Sequence, residues 1–280
     1  MSSLTSRFVT SLVVLGSLLG GLPSYSQPPD SPPRVAQPHD FKPRVVSLTP
    51  HATEMLFAAG AGSLIAATVD ASDYPPAARN LPKLGNGLNT SVEAVLAWQP
   101  DWVIGWPSAL MDRLQSLGFQ VLVLDPQRVQ DIPEQIEQLG QTLGTASQAQ
   151  AFAQGLRSRI RELNTSPPQK MVRVAVLASA DGEFALGKHP LINDALSQCG
   201  ATNVFSGSRA AAPSISQESL LAAQPDLVLG GQDTAAWIQT RFHFEPIQAD
   251  WLYRPGPRFV RALERICTAT RQVGQSSRKR

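Results

Sequence analysis

Aromatic residues are scarce in this sequence, cysteines number only two, and no dense run of one charge interrupts the body of the chain. Phe, Trp and Tyr make up 6% of the 280 residues, so each aromatic beside a loop carries extra weight. Lys plus Arg is 24 against 22 for Asp plus Glu, a formal net charge of +2, and the only packed cations are Arg278-Lys279-Arg280 at the end. Nucleic-acid binding needs clustered phosphate-neutralising cations and is therefore not expected. After the first segment no apolar run approaches a membrane span, so no membrane insertion of the mature chain is expected. Enzymatic signatures are missing: there is no G-x-S-x-G elbow, no P-loop and no G-x-G-x-x-G after a strand. His39, His51, His189 and His243 are scattered without zinc-type spacing, so neither a metal site nor a catalytic set is expected.

What is present begins with an address. The first 26 residues hold one cation, Arg7, and no acid; an apolar stretch runs from Phe8 to Leu22, followed by Pro23-Ser24-Tyr25-Ser26. A positive start, a short apolar core and small residues before the cut describe a secretory signal peptide, cleaved near Ser26. In an exported protein the even pair Cys199 and Cys267 suggests a disulfide, worth roughly 4 kcal/mol in the chain-entropy account. With no cysteine at the cleavage site no lipid anchor is expected, which leaves a free periplasmic protein.

Residues 27–43 contain six prolines and no apolar periodicity, and read as an extended leader. Order is expected from Arg44-Val-Val-Ser-Leu48, a β-branched run suited to a buried strand. Thr49-Pro50 breaks it, and Thr53–Ala59 reads as a helix ending at Gly60. Strand-like runs recur at 64–69, 102–105, 121–124, 172–177 and 227–230, with helical stretches between several of them. Alternation of this kind predicts an α/β fold with mainly parallel sheets.

One segment is repeated. Ser91-Val-Glu93-Ala-Val-Leu-Ala-Trp-Gln-Pro-Asp101-Trp-Val-Ile-Gly105 is echoed by Ser216-Gln-Glu218-Ser-Leu-Leu-Ala-Ala-Gln-Pro-Asp226-Leu-Val-Leu-Gly230. The unit reads as a capped helix, a turn and a strand, and two copies predict two Rossmann-like lobes of similar construction, 44–145 and 169–275. Between them 146–168 predicts one long linking helix, and 276–280 forms a basic tail. Glu93 and Glu218 hold equivalent places in the repeat. A carboxylate in a first helical turn suits the helix dipole by itself, and a matched exposed pair also suits docking of a partner. Asp250-Trp251-Leu252-Tyr253-Arg254-Pro255-Gly256-Pro257-Arg258 offers two aromatics and an arginine in a proline-stiffened loop, a combination able to meet a ligand. Phe184 and Tyr74 also follow strand-like runs.

Taken together, 44–273 resembles the periplasmic substrate-binding proteins of ABC importers for vitamin B12, siderophores or haem. The resemblance rests on Arg44-Val-Val-Ser-Leu-Thr-Pro-His-Ala-Thr-Glu54 with Phe57-Ala-Ala-Gly60, on Ser72-Asp-Tyr-Pro-Pro76 and on both Gln-Pro-Asp repeats. Cys199-Gly200 with Asn203-Val-Phe205, and Asp250 through Arg258 to Cys267, resemble the B12-binding branch, in which the equivalent cysteines are linked. The resemblance implies two α/β lobes joined by one long helix, and no cofactor beyond the transported ligand. It implies that Asp250, Trp251, Leu252, Tyr253 and Arg254 meet a corrinoid, that Phe184 flanks the cleft, and that Glu93 and Glu218 dock on the permease of the ABC importer. Tyr74 and position 71 complete the expected ligand-binding set. Ala71 stands where members often carry tyrosine, and tryptophans expected near Gly87 and Ala212 are missing. Haem or a ferric siderophore is the alternative ligand. Haem demands an axial side chain, for which His51, Tyr74 and Tyr253 are the candidates. An exported α/β hydrolase is the alternative from another class, and it would need a nucleophile–base–acid set that no spacing here displays.

Overall fold

A computed structural model describes residues 42–87, 89–163 and 170–276. The expected signal peptide, most of the proline-rich leader, the end of the linking segment (164–168) and 277–280 of the basic tail lie outside the described residues. In chain order the first lobe is β1 (Val45–Ser47), α1 (Pro50–Ala58), β2 (Ile65–Thr68), α2 (Val92–Leu96), β3 (Trp102–Gly105), α3 (Ala109–Ser116), β4 (Gln120–Val123) and α4 (Asp131–Leu143). The long α5 (Ala146–Leu163) follows. The second lobe is β5 (Val172–Val176), α6 (Pro190–Gln198), β6 (Ala201–Asn203), α7 (Gln217–Ala222), β7 (Leu227–Gly230), α8 (Ala236–Arg241), β8 (Phe244–Pro246), α9 (Ala249–Leu252) and α10 (Phe259–Ser276).

Each lobe carries a four-stranded parallel sheet, and the strand order is the same in both: β2-β1-β3-β4 and β6-β5-β7-β8. The sequence repeat therefore falls on α2–β3 and α7–β7, equivalent places in two lobes of one design. Its chemistry is structural. Ser91 Oγ accepts from Ala94 N and Ser216 Oγ from Ser219 N, capping the two short helices. Gln99 and Gln224, in the turns that follow those helices, take left-handed φ of 46° and 44°. Asp101 Oδ2 then accepts from Arg44 N at 2.7 Å and Asp226 Oδ2 from Arg173 N at 2.9 Å. The arginine guanidinium reaches back to Trp98 O in one lobe and to Ala223 O in the other. Each Gln-Pro-Asp turn thus locks the start of the central strand to its neighbour.

The helix expected from Thr53 begins at Pro50 instead. Proline lacks the N–H that a first helical turn leaves unpaired anyway, and its fixed φ suits that position. His51 is in consequence helical and buried, not a loop residue, and Glu54, already expected in the helix, is buried as well. The connection between lobes is stiff. α5 packs along α4, where a Cβ on Gly140 would sit 2.2 Å from the Ala149 Cβ, so only glycine allows this approach. One continuous apolar cluster runs from Met55, Ile104 and Ile132, through Ile160 of α5, to Val174, Leu229 and Phe259. The link Cys199–Cys267, both cysteines buried, ties the end of α6 to α10.

Candidate functional site

Both sheets change direction at their central strand, β1 or β5, and in open parallel sheets ligands enter the crevice beyond the carboxyl ends of the strands at such points. The segments after those ends meet one another across the lobes. The 250–258 segment leaves β8, forms the short helix α9 where a loop was expected, and crosses to the first lobe. Arg254 Nη1 bonds Asp73 Oδ1 at 2.7 Å and its Nη2 bonds Asp250 Oδ1 at 2.9 Å. Arg258 grips Glu54 with two bonds, Nε to Oε2 at 3.0 Å and Nη2 to Oε1 at 2.6 Å, and lies 3.5 Å from Asp250 Oδ2. Its guanidinium also covers the ring of Tyr74, 4.4 Å from the centroid. Two guanidiniums and three carboxylates from opposite lobes make one network. Burial pushes the Glu54 carboxyl above its ordinary range, outweighing the opposite pull of Arg258. Partial burial also pushes the Asp73 carboxyl up, but Arg254 outweighs it and the net shift is downward.

His51 Nε2 lies 3.1 Å from Leu124 O, which can only accept, so Nε2 carries the proton; burial lowers the imidazole to about 4 and keeps it neutral. Trp106, directly after β3 and partly exposed, stands edge-on to His51 with centroids 4.9 Å apart. It is an aromatic on the mouth of the crevice that the sequence reading passed over. Its place, one residue beyond the first repeat, was the available signal. Tyr253 donates its hydroxyl to Leu177 O at 2.6 Å, and burial raises the phenol to about 12.

Of the residues expected to bind ligand, Asp250, Arg254 and Tyr74 converge on the ion network, with Tyr253 beside them on the end of β5. Ala71 is exposed one residue before buried Ser72, in the same segment as Asp73 and Tyr74. Leu252 is 2% exposed and belongs to the core, while Trp251 packs against that core beneath Arg261. Phe184 is exposed on the other side of the second lobe's mouth, after β5, where it bridges to Ser214. Glu93 and Glu218 are exposed in the first turns of α2 and α7, each at the carboxyl-end face of its own sheet. Bonds from its own backbone and from Ser91 hold the Glu93 carboxyl low. Ser216 and its own backbone do so for Glu218, so both are anionic at neutral pH. Among the described residues no helix is long and apolar enough to cross a membrane, and no cluster of His, Cys, Asp or Glu is placed to hold a metal ion.

The family model described as "Periplasmic binding protein" matches residues 45–243. The chain belongs to the periplasmic binding protein family. Membership makes it a binding protein, not an enzyme, and the family's compartment is the periplasm. Among its relatives, a protein of Pectobacterium carotovorum named vitamin B12-binding protein is 31% identical over 253 residues, covering 84% of this chain and 92% of that one. The periplasmic vitamin B12 binding protein of Vibrio cholerae superposes with a TM-score of 0.75 at 29% identity, over 83% of this chain and 98% of its own. A periplasmic haem-binding protein from Roseiflexus shares the fold, with a TM-score of 0.69 at 22% identity over 84% of this chain and all of its own. Within this periplasmic binding protein the network above joins the lobes together with the bond that Val129 N donates to Asp194 Oδ2 at 2.8 Å.

Proposed function

We propose that the chain captures cobalamin between its two lobes and delivers it to the permease of an ABC importer, after export directed by its first 26 residues and cleavage near Ser26. The observation that carries the ligand choice is that two of the three candidate side chains for a haem iron are already engaged. His51 Nε2 is bonded to Leu124 O in a buried place, and the Tyr253 hydroxyl is bonded to Leu177 O and resists ionisation, which leaves Tyr74, its ring under Arg258 and partly exposed, as the remaining candidate. A corrinoid brings its own axial base and needs none of them. It needs apolar walls for the macrocycle and polar groups for its amide side chains, which Trp106, Phe184, Tyr74, Asp250 and Arg254 offer. The names of the relatives support the same choice. The continuous core across α5 favours a largely preformed cleft with small closure.

Calorimetric titration tests this reading. Cyanocobalamin should bind at a single site, haemin and ferric siderophores should give no saturable heat, and Arg254→Ala should weaken cobalamin about tenfold, the scale of one charge-assisted hydrogen bond. Tight haemin binding without cobalamin binding would sink the assignment. Glu93 and Glu218 are the docking residues in this proposal, one per lobe, meeting cations on a two-fold symmetric permease. Exposed ion pairs of this kind steer and orient more than they bind, so Glu93→Ala/Glu218→Ala should slow transport several-fold in reconstituted vesicles while ligand affinity stays unchanged. The double Lys variant should do worse; full transport by it would reduce both glutamates to helix-start residues.

A further inference from the structure

Behind the ion network, on the flank where α1, α5 and α10 meet, lies a groove of about 550 Å³. Phe57 of α1, Phe152 and Leu156 of α5, Val260 of α10 and the Tyr74-Pro75 pair wall it. Phe152 is 41% exposed, an uncovered aromatic in a chain poor in them. The groove is separated from the strand-end mouth by the Glu54–Arg258 pair and Tyr74, which line both. Its charges do not cancel. Glu54 is taken by Arg258, and Glu264 by Arg159 at 2.6 Å. Arg261 is the lining cation with no carboxylate partner among the described residues; its guanidinium lies 5.3 Å from the Trp251 ring centroid. An apolar trough of ligand-binding size with one unmatched positive charge at its rim has a definite complement.

We infer that this groove is a second binding site, for an amphipathic monocarboxylate whose apolar tail lies along Phe57, Phe152 and Leu156 and whose carboxylate pairs with Arg261. A dianionic head would find only one free cation, and a neutral chain would leave Arg261 unused. The site is independent of the cobalamin reading, since it shares no space with the mouth beyond the dividing wall.

Octanoate and octanol are the probes, titrated calorimetrically into the mature chain at low salt, with and without saturating cyanocobalamin. Octanoate should bind saturably at one site, and octanol should bind about tenfold more weakly. Arg261→Gln should weaken octanoate about tenfold and leave octanol unchanged. Phe152→Asp, a change on an exposed helix surface whose folding circular dichroism can verify, should abolish binding of both. Cyanocobalamin should leave octanoate affinity unaltered. Absence of saturable heat, equal octanoate affinity in Arg261→Gln, or displacement by cyanocobalamin would each overturn the site, the last by placing octanoate in the mouth. If cyanocobalamin itself does not bind, the titrations without it still decide the groove.

Discussion

The Cys199→Ala/Cys267→Ala variant is expected to melt about 10 °C below the parent under oxidising conditions. The two cysteines are 68 positions apart, and a loop of that size closed in the unfolded chain is worth about 4 kcal/mol. For an ordered region of this length each kcal/mol moves the melting temperature by about 2–4 °C. The covalent link is backed by a polar one: Thr270 Oγ1 donates to Cys199 O at 3.0 Å, so α10 stays tied to the end of α6 in the folded variant. That second tie is why ligand affinity should hold while stability falls. Both cysteines are buried in the shared apolar cluster, and alanine avoids placing a hydroxyl there. Differential scanning calorimetry with and without reductant is the measurement. A parent that melts at the same temperature after full reduction would show that the link constrains the unfolded chain far less than its span implies.

How much of this was legible in the sequence depended on whether a feature was fixed locally. The repeat was legible because each Gln-Pro-Asp turn must end a short helix and lock the neighbouring strand within a few residues of itself, so both copies kept the same signature. Two lobes of one construction followed from it, while the parallel sheets followed from the alternation of strand-like and helical runs. The three-residue strands β6 and β8 were not legible, since Ala201–Asn203 and Phe244–Pro246 carry too little pattern to stand out. Thr49-Pro50 does end the strand as expected, but the helix start was placed three residues late, because the fixed φ of Pro50 that ends a strand also opens a helix. The shift matters, as it brings His51 into the helix, where it is buried. Asp250 and Arg254 were visible as unusual residues, but their partner Asp73 and the Glu54–Arg258 pair were not. Those contacts join residues as much as 204 positions apart and exist only once the two lobes have folded.

Arg258→Met should cost about 3 kcal/mol at neutral pH, a more than hundredfold loss in the folding equilibrium. Removing one partner of a buried ion pair strands the other, and such losses run at about 3–5 kcal/mol. Glu54 is that other partner. Its side chain is 2% exposed, and after the change it retains only Arg254 at 3.8 Å, a cation already engaged by Asp73 and Asp250. Methionine keeps much of the packing volume beside Tyr74, so the loss reports charge more than cavity. The pH dependence follows from the direction of the Glu54 shift. Burial already raises this carboxyl in the folded protein, and without Arg258 it rises further. A carboxyl raised on folding favours the folded state fully below its unfolded value, and that advantage is lost as pH climbs through the folded value. The gap between variant and parent should therefore be widest at neutral pH and narrow on the way down to about pH 4, the ordinary range of a glutamate. Urea unfolding of both proteins at several pH values measures it. Glu54→Gln/Arg258→Met, which removes the stranded charge, should recover part of the loss at neutral pH. A gap that stays constant from neutral to acid pH would mean that Arg258 stabilises through its stacking on Tyr74 and not through Glu54.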